Sequence, residues 1–132
     1  MKYIVLIGRI LFSLIFLMSG LMGHFKPETA QYAASAGVPM ASVLVPLSGI
    51  IAILGALSIM LGFKAKLGAW LIILFLIPVT FMMHKFWGIT DPMQMQMQMS
   101  LFMKNIALIG GALIISYFGA GPLSIDNKAE AK

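Results

Sequence analysis

Residues 38–63 read VPMASVLVPLSGIIAILGALSIMLGF. No charge interrupts the run, and a helix needs about 20 mainly apolar residues to cross the hydrocarbon core of a bilayer. Working outward, three further stretches share this character. Tyr3–Gly23 contains one charge, Arg9; Ala65–Met83 is flanked by Lys64 and Lys66 and then by His84 and Lys85; Asn105–Ile125 is uncharged. The pattern predicts an all-α fold, an integral membrane four-helix bundle running up-down-up-down. It forms a single domain over 1–132, with spans at about 3–23, 41–63, 65–83 and 101–120, the fourth helix beginning near 92.

Composition agrees with the spans. Hydrophobic residues make up 61% of the 132-residue chain and charged ones only 10%, and the mean hydropathy is +1.00. Soluble domains carry roughly a quarter charged residues. A disordered chain, a soluble enzyme and a nucleic-acid module are excluded together, so the partners expected are the lipid bilayer and other membrane proteins, with no nucleic acid. Cysteine is absent, which removes disulfides, thiolate nucleophiles, iron–sulfur ligands and Cys-based zinc sites. Redox chemistry would need a diffusible or borrowed cofactor; no covalent one is expected. The N-terminus does not read as a signal peptide, because Arg9 breaks the apolar run and no small-x-small site follows at a suitable distance.

Basic residues give a direction. Lys2, Lys64, Lys66, Lys128 and Lys132 fall on one side, with Arg9 near it, against Lys26, Lys85 and Lys104 on the other. Cytoplasmic loops collect Lys and Arg, so both termini are expected in the cytoplasm of a cell with its multi-pass protein in the inner, cytoplasmic membrane. The outer loops differ in length. Asp91-Pro92 reads as an N-cap followed by proline at the first helical position.

Polar groups in a membrane are costly and therefore functional candidates. On a helix, Arg9, Ser13, Phe16, Gly20 and His24 share one stripe that should face the bundle. A structural polar pair of Arg9 with Asp126 is the preferred reading for Arg9. At the outer end, His24, His84, Lys104 and Asn105 terminate different spans on one side of the membrane. Together they predict a pocket that takes a ligand with carbonyl groups and a greasy tail, such as a quinone. His84 and Lys104 would donate hydrogen bonds to its headgroup, and Gly110-Gly111 below would permit the close packing that floors it. Taken singly, these residues are ordinary interfacial residues at helix ends; it is their co-location that raises the ligand reading.

Methionine is overused, 12 residues in all. Thioethers favour Cu(I), so Met93, Met95, Met97 and Met99 with His84 form an alternative copper site. The competing reading, preferred here, is that stripes at helical spacing fill helix interfaces. Bis-His haem has only the two histidines in its favour. No nucleophile–base pair, paired carboxylate or phosphate loop is present, and no catalytic residue is assigned.

The chain resembles the DoxX family of small four-helix bacterial and archaeal membrane proteins. The carriers are Gly8-Arg9 with Leu17-Met18-Ser19-Gly20-Leu21, Gly55 with Leu61 through Ala69, His84-Lys85-Phe86-Trp87, Phe102-Met103-Lys104-Asn105, and Gly119 through Asp126. The resemblance implies a membrane subunit of quinone-linked oxidoreduction, with a redox protein partner holding the electron-transfer cofactor and scope for a homo-oligomer. The alternative is a non-catalytic membrane anchor or assembly subunit. Many relatives carry a glutamate in span two where this chain has Ala52, which weakens a proton-relay role there.

Because the chain has no cysteine, single-Cys variants test the direction. Thr90→Cys should react with an impermeant maleimide from the outer face and Asn127→Cys only from the inner face; labelling of position 90 only from the inside would reverse the orientation.

Overall fold

A computed structural model describes all residues, 1–132. Six helices follow one another: α1 (Lys2–Met22), α2 (Pro27–Ser35), α3 (Ala41–Leu61), α4 (Ala65–Met83), α5 (Pro92–Phe118) and α6 (Ile125–Glu130). Four of them, α1, α3, α4 and α5, are long and apolar enough to cross a membrane. The short helices α2 and α6 are additions to the expected architecture. Proline at the first position and Glu28 in the first turn start α2, and the Ser124 hydroxyl caps α6 by accepting from Asn127 N–H at 3.1 Å.

Helix α3 is the centre of the molecule, packed against α1, α2 and α4, while α5 packs on α4. Apolar burial contributes little net attraction between helices in lipid, so close approach and dispersion must supply it. The sequence of α3 allows that approach. Ala52, Ala56 and Ile59 are fully buried in the main core with Phe16, Ile72 and Phe75. A Cβ on Gly20 would come within 3.0 Å of the Gly49 carbonyl, and one on Gly55 within 3.0 Å of the Gly68 carbonyl. The first contact joins α1 to α3 and the second joins α3 to α4, backbone against backbone.

The α3–α4 turn is tight. Gly62 adopts a left-handed conformation, φ 68°, which closes α3 with Phe63 N–H donating to the Ser58 carbonyl at 3.0 Å. At the outer end, Phe81, Phe86 and Trp87 stand edge-on to Phe102, with ring centroids 5.3 to 5.9 Å away, and tie the end of α4 to α5. Asp91 caps α5, accepting from Met93 N–H at 3.2 Å. A helix of 27 residues is about 40 Å long at 1.5 Å per residue, some 10 Å more than the hydrocarbon core. The excess is the exposed stretch at its N-terminal end.

The two kinds of glycine predict opposite outcomes. Gly55→Val should lower stability by about 1–3 kcal/mol through overpacking. Gly110, whose Cβ would meet nothing within 4 Å, should accept Ala with no loss. Thermal unfolding in mild detergent, followed by circular dichroism, compares the two.

Candidate functional site

The stripe Arg9, Ser13, Phe16, Gly20 is buried along the inward face of α1, with His24 half-buried beyond its outer end. Its two ends do different work.

At the inner end, the Arg9 side chain is 4% exposed and its Nη2 donates to the Leu123 carbonyl at 2.6 Å. The expected pairing with Asp126 takes a different form. The Asp126 carboxylate is engaged elsewhere, accepting from Lys64 N–H at 2.7 Å and Ala65 N–H at 3.0 Å. It thus caps the N-terminus of α4, where unpaired N–H groups and the helix dipole favour negative charge. Its own N–H donates to the Gly62 carbonyl at 2.8 Å. Asp126 therefore holds both sides of the α3–α4 turn, and Arg9 holds the chain segment just before it. The Nε and Nη1 of Arg9 and the hydroxyl of Ser13 are buried without a hydrogen-bond partner.

At the outer end, a cavity of about 570 Å³ is lined by residues of α1 to α5 and of the loops after α1, α2 and α4. All four outer candidates, His24, His84, Lys104 and Asn105, line it. Its walls are mainly apolar, with Phe16, Leu47, Ile51, Phe75 and Leu108 among them. Thr29 and Ala33 of α2 close the outer side, and α2 is held there by Ala33 packed with Ala41 and Val45 and by Thr29 Oγ1 donating to the Gly23 carbonyl at 2.8 Å. Ligand cavities of about 300–1,000 Å³ with apolar walls and a few polar groups are the usual pattern for small-molecule sites.

The polar groups are arranged as follows. His24 Nδ1–H donates to the Ser19 carbonyl at 2.9 Å, and its ring lies tilted on Phe75 with centroids 5.3 Å apart. His84 Nδ1–H donates to Gln98 Oε1 at 3.1 Å. Asn105 is 4% exposed, and Lys104 beside it is exposed. A neutral imidazole carries one N–H, so neither neutral histidine has a proton left to donate; this revises the expected hydrogen bond from His84 to a carbonyl. Lys104 and the Asn105 amide remain as donors.

Two further expectations change. Gly110 faces open space and Gly111 lies against Phe12 of α1; Leu108 and Ile51 line the cavity instead. Met93, Met95, Met97 and Met99 are helical, but they are exposed, from 37% to 76%, rather than packed into an interface of this chain. Ala52 is fully buried in the core.

The residues that sequence reasoning missed are Gln98, Phe75 and the α2 pair Thr29 and Ala33. Proline followed by glutamate at 27–28 was the available signal for α2. Gln98 sits in a Met–Gln alternation that gives no sign of its partner.

The DoxX family profile matches residues 4–85. The chain is 30% identical over 133 aligned positions to the Inner membrane protein YqjF of Escherichia coli strain K12, covering 97% of this chain and 93% of that protein. No solved structure matches.

Removing the inner clasp should cost stability and leave the outer cavity alone. Asp126→Ala loses two hydrogen bonds to a helix N-terminus, about 1–2 kcal/mol for such a cap, and Arg9→Leu should likewise lower the unfolding temperature. In both variants, environment-sensitive fluorophores attached at position 105 should report the parent signal, if the two ends are independent.

Proposed function

The chain belongs to the DoxX family, and on that premise we propose that it is a membrane subunit of a quinone-linked oxidoreductase system that holds the quinone in its outer cavity. The observation that carries this reading is the convergence of His24, His84, Lys104 and Asn105 on one cavity with apolar walls. Residues from separate spans, each costly at its depth, are gathered around a single space. An aromatic headgroup with oxygens at its rim fits the polar end, and an apolar tail fits the walls of Leu47, Ile51, Leu74 and Leu108.

Each residue has a role in that reading. The Lys104 ammonium donates to a headgroup oxygen and favours negative charge on it. Asn105 offers both a donor and an acceptor. The histidines wall the headgroup end, and each neutral ring leaves its Nε2 as an acceptor for a hydroxyl on the ligand. Quinone supplies two-electron chemistry when bound. The chain has no cysteine and no cluster of three or more His, Asp or Glu that could hold a metal, so its own residues supply binding and positioning, and the electron-transfer cofactor belongs to a redox protein partner.

The reading includes a location. The name of the Escherichia coli relative, an inner membrane protein, supports the inner membrane. The excess of Lys on the side of Lys2, Lys64, Lys66, Lys128 and Lys132 supports cytoplasmic termini, which puts the cavity toward the outer leaflet.

Lys104→Ala and Asn105→Ala are the direct tests. Each should weaken binding of a quinone analogue ten- to hundredfold, the effect of losing roughly 1.5–3 kcal/mol of hydrogen bonding, measured by fluorescence quenching in nanodiscs. If both variants fold and bind like the parent, the quinone site is refuted and the membrane-anchor reading takes its place.

A further inference from the structure

Both cavity histidines have their Nδ1 proton engaged inside the protein. For His24 the partner is the Ser19 backbone carbonyl, 2.9 Å away, which can only accept, so Nδ1 must be the protonated nitrogen. For His84 the partner is Gln98 Oε1, 3.1 Å away; with the amide turned so that its oxygen faces the ring, Nδ1 carries the proton here too. Each neutral ring then leaves Nε2 as a hydrogen-bond acceptor.

Gln98 acts from outside the cavity. It lines a second hollow, of about 430 Å³, on the outer side with Tyr32, Lys85 and Gln94. Met82 and Met83 line both spaces and separate them. His84 lines the first space and Gln98 the second, so their hydrogen bond links the two around the methionine partition.

A cavity with two acceptor nitrogens suits a ligand that brings donors. The oxidised quinone headgroup has only acceptor oxygens at its two ring carbonyls, whereas its reduced form has two phenolic O–H groups. Lys104 can donate to the oxygens of either form, so it does not discriminate; the histidines do. We infer that the cavity selects the reduced, dihydroxy form of its aromatic ligand, and that Gln98 is the positioning residue that sets this choice by fixing the His84 tautomer. The inference rests on the reading of the cavity as a quinone site.

The test uses the full chain in lipid nanodiscs under anaerobic conditions, with a short-chain benzoquinol and the matching benzoquinone as ligands and ¹⁵N-histidine labelling for the tautomers. In the parent, His84 should show a protonated Nδ1 and a bare Nε2, and the benzoquinol should bind about tenfold more tightly than the benzoquinone, the scale of one good hydrogen bond gained and one unsatisfied acceptor avoided. Gln98→Glu is close in size but places a carboxylate on Nδ1, which favours the doubly protonated ring. Nε2 then becomes a donor, and the preference should shift toward the benzoquinone. Gln98→Leu removes the acceptor and should mix the His84 tautomers and narrow the preference; it serves equally if the glutamate variant fails to fold. Equal binding of the two ligands by the parent overturns the inference while leaving the quinone site standing. A His84 ¹⁵N pattern that is unchanged in Gln98→Leu, or a parent with Nε2 protonated, overturns the role of Gln98. Binding of neither ligand overturns the quinone site and the inference with it.

Discussion

The close approach of α3 to its neighbours is the constraint on which the rest of the structure depends. Lipid tails are as apolar as leucine, so burying apolar side chains between helices brings little net gain in a bilayer. What remains is dispersion at short range, which falls away steeply with small gaps. Gly20 against Gly49 and Gly55 against Gly68 let three backbones meet where any Cβ would intrude. Ala52 and Ala56 continue the same surface. With α1 and α4 fixed on α3 at these points, the positions of their ends are set, and every polar residue at those ends inherits its place.

The two ends of the bundle then diverge in character. At the inner end, polar groups are used to close the structure. The Asp126 carboxylate receives the N–H groups of Lys64 and Ala65 at the start of α4, its N–H donates to the Gly62 carbonyl just after α3, and Arg9 donates to the carbonyl of Leu123. A helix terminus in or near lipid has no water to satisfy it, so a short helix that folds back to do so has a clear physical purpose. At the outer end, the polar groups line a cavity. His24 and His84 each bond through one nitrogen to a carbonyl oxygen and keep the other free. The first arrangement fastens the bundle; the second leaves polar groups around an open cavity.

The outer site is also layered. The apolar cavity lies within the spans, and a hollow with polar residues lies outside it, with Met82 and Met83 between. The thioether side chains of this partition are flexible and polarisable. The aromatic group of Phe81, Phe86, Trp87 and Phe102 stiffens the junction of α4 and α5 beside it.

The sequence alone determined the four spans, their breaks and the polar residues worth following. Apolar length, a proline after Asp91 and a glycine after Leu61 are local signals, and local backbone physics acts on them directly. It also determined that His24, His84, Lys104 and Asn105 lie at one end, because the number of spans fixes which helix ends share a side. Only the tertiary structure decided what each of them does. Arg9 and Leu123 are 114 residues apart and His84 and Gln98 are 14 apart, and nothing in hydropathy or period selects a backbone carbonyl over a nearby carboxylate as the partner of an arginine. The same holds for Gly55 and Gly110, alike in sequence, of which one meets a neighbouring backbone and the other meets open space. Hydropathy is a sum over neighbours along the chain. A hydrogen bond is a distance and an angle between groups that only folding brings together, and so the spans were legible and the state of the histidines was not.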